Sequence, residues 1–311
     1  MTRHEIERVD HVALIAALSA EDRKRLTEKS DRAGLLHLAG HAGAIGLCTV
    51  GIGLRVPGFE LLLPLQGVLI VFLFTALHEC IHGTAFRTGR LNEMVATICG
   101  FLVFLPPLWF RFFHLAHHRH THDLERDPEL ETPKPETWTA YLIYVSGIPD
   151  WVGRIRTILG NALGLRSDRY VPDKARHRVV REARLFTATY GLVFAAAFAM
   201  QRTDIVILWL GPLLLGGPFL RLYLLAEHGR CPHVANMLEN TRTTFTTALV
   251  RFLAWNMPYH AEHHAYPSVP FYRLPLFHRF TRAHLKRTED GYARFNADYV
   301  RTFKKPAKKA V

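Results

Sequence analysis

Five stretches of this 311-residue chain carry no charge. Gly34–Leu54 runs for 21 residues, which as a helix covers roughly 30 Å, the depth of one bilayer core. Leu61–Leu77 follows after a short turn containing Pro57 and Gly58, so the two predict a helical hairpin. Leu185–Met200 and Ile205–Leu220, joined by Gln-Arg-Thr-Asp, predict a second. The remaining run, Met94–Phe110, contains Pro106-Pro107, which breaks a helix. It is read as a re-entrant or interfacial segment that returns to the side it came from. Glycines at 40, 43 and 46 suit close helix packing in the first span. Before it, Ser19 followed by Asp22 predicts a capped polar helix over Glu21–Ser30. No charge-flanked apolar run opens the chain, so no cleaved signal peptide is expected.

Charge sets the expected orientation. Of the 39 Lys and Arg, all but Arg55, Arg202 and Arg221 fall in 1–33, 85–90, 111–184 and 230–309. With both hairpin tips outside, those segments are cytoplasmic, a strong positive-inside asymmetry. A full crossing by Met94–Phe110 would put thirteen Lys and Arg of 111–184 outside. The expected architecture is an all-α membrane protein: four transmembrane helices in two hairpins, re-entrant or interfacial helices, and a cytoplasmic histidine-rich cap. It divides into a cytoplasmic segment 1–33, a membrane domain with its cap over 34–284, and a basic tail 285–311. The net charge of +12 suggests nucleic acid at first, but its one-sided distribution is explained by orientation, and no nucleic acid partner is expected. The mean hydropathy of +0.04 averages apolar spans with a basic half. Four scattered Cys form no CxxC and no obvious disulfide framework.

The 19 His are concentrated beyond the cytoplasmic ends of the runs. HECIH supplies His78 and His82, HLAHH supplies His114, His117 and His118, and HAEHH supplies His260, His263 and His264. AEHG adds His228. On a helix, spacings of three and four share one face, so each box presents its imidazoles together. Neutral imidazole suits Fe, Zn and Cu. Nine ligands exceed the four of a tetrahedral zinc and suit two metals with an open position for oxygen. His120 and His122 extend the second box and are expected to support it by hydrogen bonding. Asp127 and Glu129 are candidate carboxylates behind the ligands, with helix capping as an equal alternative, and Asn256 is a possible polar support. His37 and His41 also form HxxxH but lack a second face, so they are not expected to ligate. Arg221 and Glu227, charges near the inner end of the fifth run, are expected to pair or snorkel. His78-Glu79-Cys80-Ile81-His82 also matches HExxH, whose Glu acts as general base in zinc proteases. An intramembrane metalloprotease would leave the other clustered His unexplained. A His-rich metal carrier is a further alternative, predicting reversible metal binding and no O2 consumption.

These boxes, with ERDPEL at 125–130, AEHG at 226–229 and NMPYHAEHHAYPSVPFYRLP at 256–275, resemble the membrane fatty acid desaturase and hydroxylase superfamily over about residues 35–280. The resemblance implies four membrane helices under a cytoplasmic cap and a non-haem di-iron centre held by the nine histidines. It implies O2 as oxidant, an acyl chain or acyl lipid as substrate, and an external electron donor of ferredoxin, rubredoxin or cytochrome b5 type. Some members place an Asn four residues before the position of His228, where this chain has Leu224. No HPGG haem-binding sequence occurs, so no fused cytochrome b5 domain is expected. Removing hydrogen from an unactivated methylene needs a redox-active metal, which excludes zinc. Trp109, Phe110, Phe112, Phe113, Trp138, Tyr141 and Trp255 are candidates to line an acyl channel or to sit at the membrane interface. Desaturation is the leading expectation; hydroxylation or ketolation of an alkyl or carotenoid substrate at the same site is the alternative.

Overall fold

In a computed structural model the described residues are 10–303. Arg3, Arg8 and the lysines at 304–309 lie outside them. Two short helices, α1 (His11–Ala17) and α2 (Ala20–Thr27), precede the apolar body. Ser19 caps α2 as expected: its Oγ accepts from the Asp22 amide at 3.0 Å and donates to Asp22 Oδ2 at 2.7 Å. The long α3 (Asp31–Gly53) and α4 (Phe59–Val71) form the first hairpin, with Gly58 at φ +79° starting α4. After a break at Phe72 the chain continues as α5 (Leu73–His82). Gly83, at φ +71°, ends α5 immediately after the second histidine of HECIH.

The second hairpin contains α10 (Asp173–Ala199), reached through α6 (Gly89–Leu102), α7 (Pro107–His120), α8 (Trp138–Val145) and α9 (Ile148–Ala162). A π-helical turn at Val206–Leu210 then leads into α11 (Gly211–His228). The cap follows as α12 (Met237–Asn240), β1 (Thr243–Phe245), α13 (Ala248–Leu253), α14 (His260–Ala265), α15 (Leu274–Thr281), β2 (Thr288–Asp290) and α16 (Tyr292–Arg301). β1 and β2 pair in parallel, Thr244 opposite Glu289. α16 packs Phe295 and Tyr299 against Leu225 and Ala226 of α11.

Ala20–Gly53, Phe59–His82 and Val206–His228 are long and apolar enough to cross a membrane, and the bent pair α6/α7 would make a fourth crossing. The run expected to span at Leu185–Met200 is not among these. α10 begins twelve residues earlier in charged sequence, leaving about 22 Å of apolar helix against a core of about 30 Å. Leu185, Leu192 and Phe198 nevertheless point outward, Phe198 being 87% exposed, while Phe186 and Tyr190 are buried. The glycine expectation needs correcting too. Of the three, only Gly40 is in a close approach, a Cβ there lying 3.1 Å from the Phe252 ring, whereas a Cβ on Gly43 or Gly46 would meet nothing within 4 Å. The close crossing is between α4 and α11, where a Cβ on Gly216 would lie 2.2 Å from the Gly67 carbonyl oxygen.

Residues 103–106 turn α6 into α7 through 100°. A bend at this depth exposes backbone groups that apolar surroundings cannot satisfy. Here several have partners. Tyr190 Oη donates to the Phe101 carbonyl at 2.8 Å, Trp209 Nε1 to Leu102 at 2.8 Å, and Arg154 Nη1 to Val103 at 2.7 Å. On the other side, the amides of Leu108 and Trp109 donate to the Glu182 carboxylate at 3.0–3.4 Å, an anion at a helix N-terminus. Gly100 allows the approach, since a Cβ there would sit 2.4 Å from the Leu105 oxygen.

Candidate metal centre

Helices α5, α7, α11 and α14 bring all nine histidines of the boxes and AEHG together. One ring nitrogen each from His78, His82, His114, His118 and His263 lie within 4.8 Å of one another. His117, His228 and His264 form a second such group. His260 joins it, its Nε2 lying 3.2 Å from His228 Nε2, which is also 3.2 Å from His117 Nε2. The groups adjoin: the His118 and His264 rings stack at 3.9 Å.

The donor set is prepared for a cation. Every member of the first group has a buried ring nitrogen without a hydrogen-bond partner, as does His264 in the second. Buried polar atoms are otherwise almost always paired, so this concentration requires an explanation that metal ligation supplies. Burial holds His263 and His264 well below the ordinary histidine range and His260 down to about 3. These three imidazoles are therefore neutral bases at neutral pH.

Behind the imidazoles stands a layer of oxygen atoms. Asp127 Oδ1 accepts from His117 Nδ1 at 2.9 Å, which fixes that proton and turns the Nε2 lone pair into the cluster. Asp127 also accepts from the His122 and Glu129 amides at 2.8 and 2.9 Å, so it both orients a histidine and caps the turn. Thr121 Oγ1 lies 3.1 Å from His264 Nδ1, Glu227 Oε1 lies 3.4 Å from His260 Nδ1, and Glu79 Oε1 lies 3.8 Å from His263 Nδ1. Glu262 anchors α14 through Thr243, His278 and Thr281. Thr121 and Glu262 had no signal in the sequence beyond being letters within and beside the boxes, and Glu79 stood out only as the Glu of HExxH, a different role.

Several expectations change. Glu129 stands in front of His117, with Oε2 at 3.3 Å from Nε2, and pairs with Lys134. It is on the cluster side, unlike Asp127. His122 is buried beside His228, as expected of a supporting residue, and its Nδ1 lies 3.3 Å from His233 Nδ1. His120 is only half-buried and joins neither group, because the helix turns it to the other side of α7. Asn256 is also away from the cluster; it sits at φ +56° and donates to the Phe271 carbonyl at 3.1 Å. His37 and His41 are engaged elsewhere, by the carbonyls of Phe252 and Leu69 at 2.8 Å. The protease alternative fails on geometry. Glu79 is fully buried and held from behind by the Thr84 hydroxyl and the Phe271 amide at 2.9 and 3.1 Å. It does not face an open position where it would serve as general base.

A cavity of about 460 Å³ opens onto His78, His114, His117 and His260. Trp109, Phe110 and Phe113 line it, whereas Phe112, Trp138, Tyr141 and Trp255 do not. Trp138 and Tyr141 pack against Phe303, and Trp255 bonds His41.

A model of the fatty acid desaturase family matches residues 57–296. The chain is 24% identical over 270 residues to a chloroplastic omega-3 fatty acid desaturase of Glycine max, covering 77% of this chain and 59% of that protein. It is 27% identical over 208 residues to a sphingolipid delta(4)-desaturase/C4-monooxygenase of Mus musculus, covering 66% and 59%. The chain thus spans about three-fifths of the length of these two relatives. It is 26% identical over 313 residues to a dihydrorhizobitoxine desaturase of Bradyrhizobium elkanii, covering 92% and 85%.

Proposed function

Because this chain belongs to the fatty acid desaturase family, and is thereby an oxidoreductase of apolar, membrane-compatible build, we propose that it is an O2-dependent desaturase placing a double bond in an acyl chain at a centre of two non-haem iron ions. The observation that carries the reading is the meeting of nine imidazoles in two adjoining groups rich in buried, unpartnered nitrogens. His78, His82, His114, His118 and His263 would hold one ion; His117, His228, His260 and His264 would hold the other, with Glu129 on its open side. Bound iron would supply the oxidising power that no side chain has for an unactivated C–H bond.

The chain's own residues do the rest. Nitrogen lone pairs are kept free by burial and by protons held on the opposite ring atoms, as at His117 by Asp127. The apolar walls at Trp109, Phe110 and Phe113 exclude water and hold the alkyl chain beside the histidines. Overall, two hydrogens leave the substrate and one O2 becomes two waters. Two electrons must therefore come, one at a time, from an external donor of ferredoxin, rubredoxin or cytochrome b5 type, and two protons from water. The one-sided distribution of Lys and Arg supports a cytoplasmic position for the basic face and the centre; the chain ends, expected on the same side, lie outside the described residues.

Replacing His263 by Ala tests the reading. Iron in the purified protein should fall from about two ions per chain, and double-bond formation from acyl lipids should be lost, while membrane insertion is retained. Native protein that purifies without iron and forms no double bond with a reducing system would overturn it.

A further inference from the structure

The cavity that reaches the histidines is not lined as a plain hydrocarbon slot. Arg154, Arg156 and Arg221 also face it. Arg221 stands in the apolar sequence of α11, where an ionisable side chain is costly and calls for a role. Its guanidinium lies 3.9 Å over the Tyr144 ring, and Nη1 reaches Asp150 Oδ1 only at 3.5 Å. Its Nε is buried without any partner. Asp150 is already engaged by Arg154, whose Nε lies 2.9 Å from Oδ2. One carboxylate therefore serves two guanidinium groups. Arg156, on the exposed side of α9, pairs with no carboxylate among the described residues and adds to the excess.

The other charges on the wall do not cancel this excess. Lys134 is matched by Glu129, Arg166 by Asp168, and Glu131 by Arg169. Glu227 has no cation partner, but it faces His260 at the histidine end. Arg221 and Glu227 are six residues apart on α11, about 9 Å along the axis. The cavity is thus polarised, with surplus positive charge on Arg154, Arg156 and Arg221 and the candidate metal ligands elsewhere on the same wall.

We infer that the cavity takes a substrate with an anionic head group, a carboxylate or a phosphate ester, docked on Arg221 with Arg154 and Arg156 beside it. The head binds inside the protein, in the same cavity onto which the histidines open. A guanidinium fork with unused donors matches either oxyanion. The inference rests on the desaturase reading only for what happens at the histidines; anion recognition is measured without turnover.

The test titrates the full-length, iron-loaded protein in neutral detergent with octanoate, octyl phosphate and 1-octanol, following heat. At least one anion should bind about tenfold or more tightly than the alcohol, and the difference should shrink as salt is raised. Which anion is preferred identifies the head-group chemistry. Arg221→Met should abolish the preference with iron content unchanged, and Arg221→Lys should restore part of it. Arg156→Gln, at an exposed position with no carboxylate partner among the described residues, should lower the preference severalfold. Equal affinity for all three compounds would overturn the inference, as would a preference that survives both Arg221→Met and Arg156→Gln. Iron-free native protein would sink the desaturase reading and leave the anion result standing.

Discussion

At the scale of single residues, the histidine boxes were legible because ligation demands a residue type at a helical spacing. His78 to His82 and His260 to His264 each place imidazoles on one face, and the structure brings those faces together. The oxygen atoms behind them were much less legible. Glu79 read as the glutamate of HExxH, Glu262 as filler between histidines, and Thr121 as an ordinary residue after α7. Their roles depend on neighbours far away in sequence, such as Phe271 for Glu79 and Thr243 for Glu262. Asp127 was anticipated, and its geometry supports a definite expectation. Asp127→Asn removes the charge behind His117 and leaves one acceptor oxygen where two serve His117, His122 and Glu129, so metal affinity should fall about 10–100-fold with the fold intact. Metal competition with a chelator, read beside circular dichroism, checks this; unchanged affinity would show that His117 is oriented by other contacts.

Among the elements, apolar runs and prolines marked the helices and the break at Pro106-Pro107, but not what satisfies it. Glu182 belongs to α10 and the amides it accepts from belong to α7. It lies ahead of the apolar part of α10, and burial pushes its carboxyl up to about 7. Because the folded-state value is raised, the folded protein holds this proton more tightly than the unfolded chain. The contribution is full below about 4.5 and is lost as pH rises towards 7, on the order of 3 kcal/mol at most. Thermal unfolding in detergent should show stability falling across that window, and Glu182→Gln should flatten the slope. The glycines provide a second comparison. Gly216→Val drives a side chain into the backbone of α4 and should cost more than the ~1–3 kcal/mol of ordinary overpacking. Gly43→Ala, in open space, should be neutral or slightly stabilising. Equal unfolding temperatures for both variants would rule out the α4–α11 crossing.

For the whole molecule, the charge pattern predicts orientation while the fold decides how many segments cross. The three apolar helices were evident from composition, but α10 could not be judged from its apolar half alone, since it continues unbroken into Lys174, Arg176 and Arg178. Single cysteines introduced at Gly58 and Thr203 should react with impermeant maleimide from outside intact cells, and one at Glu125 only after permeabilisation. Labelling of position 125 in intact cells would reverse the orientation or make α6/α7 a full crossing.

The satisfied bend also constrains the order of assembly. The groups that quench the free carbonyls of residues 101–103 and the amides of 108–109 are Arg154, Glu182, Tyr190 and Trp209, all downstream of the bend. Until they emerge from the ribosome, the turn has only its local backbone bonds, such as Leu105 N–H to the Gly100 carbonyl at 2.8 Å, and the carbonyls of Leu102 and Val103 must stay hydrated at the membrane edge or shielded by the insertion machinery. At about 5–20 residues per second, the wait from Val103 to Trp209 is roughly 5–20 s. The histidines of α7 follow directly on this turn, so the metal-binding face matures late, after most of the chain has been made.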